Sequence, residues 1–250
     1  NRNRSMQYMY EGSPTTRSGS FNMTTISLRT AFKKRGNVRN GYSSSTFRRF
    51  QSYLPIFQQR VERQYIGRTY PEGTGMSGTF NPDNGTVGMY SSDVMIPAFL
   101  AAYTGKSASR QGLDIFPAIT KMLPNWNVNY RGLSTLPWLR DHFKSITLTH
   151  SYKSIYSVGS YNSYSSWVEC MGSGLGFMQN TTTGQYVPSS MYDIGAVSIN
   201  ETFSPLIGLN ITFLNNMTLK AEYKTTRVLS LSTTSAQLTE TGSKDFVLGW

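Results

Sequence analysis

The chain is poor in cysteine, histidine and acidic groups, and it has no long apolar run. Cys170 is its only cysteine, which excludes an internal disulfide and suits a small buried side chain. No stretch approaches the ~18 consecutive apolar residues of a membrane-spanning helix. That excludes a helical span but not a barrel, whose strands read as short alternating segments. The 13 acidic residues are scattered singly, so no carboxylate pair is at hand for acid–base chemistry. His142 and His150 have no cluster of cysteines or carboxylates to complete a metal site. Asp141-His142, taken with any of the many serines, lacks the nucleophile-elbow pattern of a hydrolase. These absences lead us to expect no enzyme, no metal and no cofactor.

Basic residues are plentiful. Lys and Arg number 24, and the formal net charge is +11. Thirteen of the 24 fall between residues 2 and 68, so the excess belongs to one region. No zinc-ligand spacing, helix-turn-helix or RNA-binding signature accompanies it, and no nucleic acid is expected as a partner. A solvated basic loop, or one facing acidic lipid or cargo, fits better. Gly73-Thr74-Gly75-Met76-Ser77-Gly78 matches the letters of a dinucleotide fingerprint. It follows Pro71 and runs into Phe80-Asn81-Pro82, with no strand before it and no helix after, so no nucleotide site is expected.

Tyr, Ser, Thr, Asn and Gly are abundant, a β-rich composition with aromatics to spare for an interfacial girdle. The clearest stretch is 205–224, PLIGLNITFLNNMTLKAEYK. Ile207, Leu209, Ile211 and Phe213 alternate with Gly208, Asn210 and Thr212, a period of two that only a strand can use to keep one face apolar. After Leu214-Asn215-Asn216 the alternation resumes as Met217, Leu219, Ala221 and Tyr223 against Thr218, Lys220, Glu222 and Lys224. A three-residue turn pairs Phe213 with Met217, Ile211 with Leu219, Leu209 with Ala221 and Ile207 with Tyr223. A two-residue turn would mix the faces. Asn216 can adopt the left-handed conformation that such a turn needs. The product is a hairpin with one oily face and one polar, charged face. It suits a soluble sandwich, or a membrane barrel with lipid outside and water within. About nine residues at ~3.3 Å, tilted by ~40°, cover roughly the 25 Å apolar band of an outer-membrane barrel, so length favours the membrane.

Strands are also expected at 2–10, 21–32, 126–131, 146–158, 192–203, 228–238 and 246–250, with a charged turn at 33–37. Their polar sides repeatedly carry Asn, Thr, Lys or Arg, which suits a wet lumen. Phe47, Phe50, Leu54, Phe57 and Val61 mark one face of a basic amphipathic helix that Pro55 should kink or split. Packing against its own protein is expected of it. Residues 65–90 read as a long loop. Ser92-Asp93 can cap a helix over 94–103 that Gly105 ends. That helix, VMIPAFLAAY, is almost wholly apolar and too short to cross a bilayer, so something must bury it. Its Val94, Ile96, Phe99 and Leu100 are candidates for a cap or partner contact. The expected organisation is barrel strands at 1–44, an inserted loop region with short helices at 45–123 and barrel strands at 124–250. The insert would face the lumen, cap it or meet a partner. Both ends of the chain look cut from something longer.

Four segments together resemble one family: DVMIPAFLAAYTG at 93–105, LPNWNVNYRGL at 123–133, FKSITLTHSYK at 143–153 and INETFSPLIGL at 199–209. The last runs into Asn215-Asn216 and Glu222-Tyr223-Lys224. In this order they resemble the C-terminal part of SprA/Sov, the outer-membrane translocon of the type IX secretion system, over roughly residues 90 to 250. The resemblance implies an all-β fold, part of a very large transmembrane antiparallel β-barrel in the bacterial outer membrane. It implies a channel that exports folded cargo proteins to the cell surface. A PorV-like partner barrel at a lateral opening, a periplasmic plug protein and the lipid bilayer would be its partners, and no catalytic residues carry over. On this reading Asn210, Thr212, Lys220 and Glu222 face the lumen, and Leu209, Ile211 and Leu219 face lipid. Two other readings stay open: another outer-membrane barrel such as a porin or transporter, or a soluble β-sandwich binding module.

Overall fold

A computed structural model describes residues 2–7, 16–36, 38–41, 43–170 and 172–250. In chain order its elements are β1 (Arg2–Gln7), β2 (Thr16–Thr24), α1 (Leu28–Ala31), α2 (Ser45–Tyr65), α3 (Ser92–Thr104), β3 (Trp126–Tyr130), α4 (Pro137–Arg140) and β4 (Phe143–Ser163). Four short strands follow, β5 (Val168–Glu169), β6 (Gly176–Gln179), β7 (Tyr186–Pro188) and β8 (Tyr192–Ile194), and then the long β9 (Ala196–Phe213), β10 (Thr218–Ser232) and β11 (Gln237–Gly249). Strands hold 42% of the residues and helices 23%, so the chain is mostly β. The main sheet runs β1-β2-β4-β9-β10-β11, with β3 and β8 also paired to β4, and β5-β6-β7 form a second, small sheet. Every pairing is antiparallel, and the sheets are open.

Two strands share one edge of β4. Thr24 of β2 lies opposite Ile155, and Trp126 of β3 lies opposite Tyr152, three positions further along. The chain thus leaves a strand position at Thr24 and re-enters it at Trp126. All that lies between is one excursion from an interrupted strand, and it opens well before Ser45.

The strand expected over 21–32 therefore stops at Thr24, and α1 follows. The reason lies at Ser27, which turns inward. Its N–H donates to the Tyr152 hydroxyl (2.9 Å) and its own hydroxyl to Glu201 Oε1 (2.6 Å), so side chains of the sheet take the donor that a strand ladder would need. The strand expected over 228–238 is two: β10 ends at Ser232, and a turn with Ala236 at φ 52° leads into β11. The stretch 192–203 likewise divides into β8 and β9.

The excursion folds into a layer. α2 buries Phe50, Leu54, Phe57 and Val61 on one face, and Ser44 caps it by accepting from the Phe47 N–H (3.3 Å). Pro55 sits inside α2 without dividing it. α3 is buried along residues 94–104, and Gly105 ends it in the left-handed conformation at φ 73°. A helix with no polar face has to be surrounded, and α2 and the sheet supply the surroundings. Both helices join Phe21, Met23, Tyr156, Val158, Val197, Ile199, Leu229 and Leu231 in one core.

The layer covers only part of the face it sits on. β10 pairs with β11 in unbroken register from Lys220 opposite Gly249 to Ser232 opposite Gln237. Leu231, Leu229, Arg227, Tyr223, Ala221 and Leu219 therefore share one face. β9 uses four steps, from Phe203 to Ile207, where β10 uses two, from Thr225 to Tyr223. The two extra residues preserve parity, so Val197, Ile199, Glu201 and Phe203 lie on the same face as Ile207, Leu209 and Ile211.

Candidate functional surfaces

Where cover ends, two charges are buried on the apolar face. Glu201 is 2% exposed and Arg227 4%; they lie opposite each other in register and form an ion pair, Nη2 to Oε2 at 2.8 Å. Glu201 Oε1 also accepts from the Tyr152 hydroxyl (2.8 Å). Arg227 donates from Nη1 to the Thr30 carbonyl (2.9 Å) and from Nη2 to the Thr30 hydroxyl (3.0 Å), which itself donates to the Tyr103 carbonyl (2.5 Å). Taking two ions out of water costs several kcal/mol each, and these bonds offset that cost. The arrangement is a latch. It ties α1 to the sheet on one side and to α3 on the other.

Beyond the latch the hairpin emerges uncovered. Its turn is the three-residue one that register demands: the Phe213 N–H donates to the Met217 carbonyl (2.9 Å), and Asn216 is left-handed at φ 65°. Ile211 lies opposite Leu219, Leu209 opposite Ala221 and Ile207 opposite Tyr223. Across β10 the same face continues onto β11, because Tyr223 pairs with Phe246 and Ala221 with Leu248. Ile207, Phe246 and Leu248 are 62%, 66% and 59% exposed, respectively. On β3, Val128 and Tyr130 extend the face at the other side, opposite His150 and Leu148.

On the hairpin the reverse face is polar, although β11 adds Val247 to it opposite Glu222. It carries Asn210 and Thr212 on β9, and on β10 Lys220, Glu222 and Lys224, whose side chains form an ion-paired row with N–O distances of 2.9 and 3.0 Å. His150, in the apolar register of β4, is held by its Nδ1 against the Leu206 carbonyl (2.7 Å). Among the described residues no three His, Cys, Asp or Glu side chains gather where a metal ion could sit.

No protein-family model and no curated protein matches this chain. A functional reading has to rest on the two faces of the sheet. The structure brings Leu209, Ile211 and Leu219 together on one face and Asn210, Thr212, Lys220 and Glu222 on the other. It does not bring the α3 candidates to any surface. Val94, Ile96 and Phe99 are fully buried and Leu100 is 4% exposed, so a partner could reach them only by displacing the layer. Near the start of α3, loss of solvation raises the Asp93 carboxyl to about 6, and a hydrogen bond with Ser190 pulls partly the other way. The latch escaped sequence reading although its signal was there. Glu201 sits in the apolar register of Ile199 and Phe203, and Arg227 in that of Leu229 and Leu231.

Proposed function

We propose that this chain is part of the wall of a large outer-membrane β-barrel of the SprA/Sov kind, a channel that passes folded proteins to the cell surface. The observation that carries the reading is the uncovered apolar face of β9, β10 and β11. Residues 205–213 at ~3.3 Å each, tilted by ~40°, rise roughly 23 Å, close to the ~25 Å apolar band of such barrels. A soluble sandwich would lay a second sheet over this face. The second sheet present, β5-β6-β7, instead packs its Phe177 on Tyr65 and Phe80 within the layer, with ring centroids 5.4 and 6.0 Å apart. On this reading Leu209, Ile211 and Leu219 meet hydrocarbon, while Asn210, Thr212, Lys220 and Glu222 line water.

Outer-membrane barrels have short turns on the periplasmic side and long loops outside. By that rule the 214–216 turn faces the periplasm, and the excursion over 25–125 stands toward the cell surface. Because the layer shares a face with the lipid-facing side chains, it leans on the outer wall of the barrel. That position favours contact with a neighbouring protein, such as a PorV-like barrel, over filling of the lumen.

The test is labelling of Leu209→Cys and Asn210→Cys in membranes by a water-soluble maleimide, with Cys170, which is buried, as the background. Labelling at 210 with protection at 209 is expected. Equal labelling at both, or the reverse pattern, removes either the register or the bilayer.

A further inference from the structure

A cleft of about 670 Å³ opens at the boundary between the covered and uncovered halves of the sheet. Its floor is apolar: Phe203, Leu206 and Tyr223, the last opposite Ile207 in the first uncovered pair. Phe32, 63% exposed, stands at its side with its ring 5.4 Å from that of Phe203. Its rim is cationic. Of the six basic side chains lining it, Arg227 is neutralised by Glu201 (2.8 Å) and Arg35 is paired with Glu240 (3.0 Å). Lys33, Lys34, Arg39 and Lys244 remain, and none of these four forms an ion pair among the described residues.

Two independent parts of the chain supply this charge. Lys33, Lys34 and Arg39 belong to the segment after α1, which the latch holds against the sheet. Lys244 comes from β11, where it lies opposite Thr225 on the covered face. Four like charges around one cleft repel each other, and an anion between them removes that cost. The ligand that fits is anionic at one end and apolar at the other, since the floor leads directly onto the uncovered face.

We propose that this cleft binds the phosphate of a lipid head group, with the acyl chains running down over Tyr223, Ile207 and Phe246. The proposal rests on the membrane reading above, which puts head groups at the level where the covering layer ends. The charged rim would hold the layer at the surface of the outer leaflet, and the wall and its insert would be registered to the bilayer by the same contact.

The experiment uses the full-length protein purified from membranes, comparing wild type with the Lys33→Ser, Lys34→Ser, Lys244→Ser variant. Lys34 and Lys244 are exposed and Lys33 half-buried, and none of the three belongs to the latch. Binding is read in nanodiscs containing phosphatidylglycerol or an uncharged glycolipid, by native mass spectrometry of the lipid retained after detergent exchange. Roughly five-fold weaker retention per cation removed is expected for the phosphorylated lipid, with no change for the glycolipid. Equal retention by wild type and variant, in protein that still needs detergent, overturns the proposal alone. Recovery of a soluble protein without detergent overturns the membrane reading beneath it. Displacement of the lipid by millimolar inorganic phosphate would make the cleft a site for free anions and refute the lipid assignment.

Discussion

Leu231 and Leu219 occupy the same face of the same strand, and their surroundings have nothing in common. Leu231 is fully buried in one core with α2 and α3, and Leu219 is half-buried, outside that core, opposite Ile211. The difference extends to charge. The covered half holds Glu201 and Arg227 as an ion pair, with Ser27 and Tyr152 donating to Glu201 and Arg227 donating to Thr30, while Arg227 Nε finds no acceptor among the described residues. From Ile207 to Phe213 and from Met217 to Tyr223 the same face carries no charge at all, and Lys220, Glu222 and Lys224 point to the reverse side. A protein layer can offer donors and acceptors to a buried ion, and hydrocarbon cannot. The contrast is therefore between an apolar face that the chain itself covers and one that, on the proposed membrane reading, a bilayer would cover.

The sharpest way to break this comparison is to remove one charge from the latch. Arg227→Ala leaves Glu201 buried without its ion pair, which should cost about 3–5 kcal/mol. Heat or denaturant melting of the purified protein should show it in any detergent, because the defect lies within the covered half. A loss under about 1 kcal/mol would mean that the latch is not dry.

A smaller effect is expected from a charge on the uncovered half, and it should depend on the bilayer. Leu219→Arg should impair outer-membrane assembly by about 2–4 kcal/mol near the midplane, whereas Asn210→Arg, one face away, should cost little. If both variants assembled alike, the two faces would not differ in what they meet.

Asp93 offers a test confined to the layer. Burial pushes its carboxyl from the ordinary 3.8 up to about 6, so the fold prefers the protonated form. Its contribution is most favourable below pH 4, falls as pH rises through 4 to 6, and is flat above. Asp93→Asn should abolish that slope and raise stability at pH 7.5 by about 2–3 kcal/mol. Melting curves at pH 4 and 7.5 decide it; an unchanged slope would show that Asp93 is well solvated.

The smallest expected change is at the hairpin tip. Asn216→Gly should relieve the left-handed residue at φ 65° by a few tenths of a kcal/mol, while Asn216→Val should cost about 1 kcal/mol or more and loosen the pairing of Phe213 with Met217. Hydrogen exchange of the Phe213 amide would follow both.

Local patterns settled much of this in advance. The period of two over 207–213 and 217–223 can be satisfied only by strands, and parity alone selected the three-residue turn, so the hairpin register was legible down to single residue pairs. The 3–4 spacing of α2 and the all-round apolar character of α3 identified their burial for the same reason: each is a property of neighbouring residues. Residues 25–31 were not legible. Ile26, Leu28 and Phe32 look like one side of a strand, but Ser27 finds partners in Tyr152 and Glu201, both more than 100 positions away. Nor could alternation tell that β2 and β3 fill one strand position, that the excursion covers one half of an apolar face and leaves the other bare, or that Lys244 meets Lys33 across a cleft. Those are long-range juxtapositions. The sequence by itself determined which side chains share a face; only the tertiary structure decided which part of the apolar face the chain itself covers, because that depends on where distant segments come to rest.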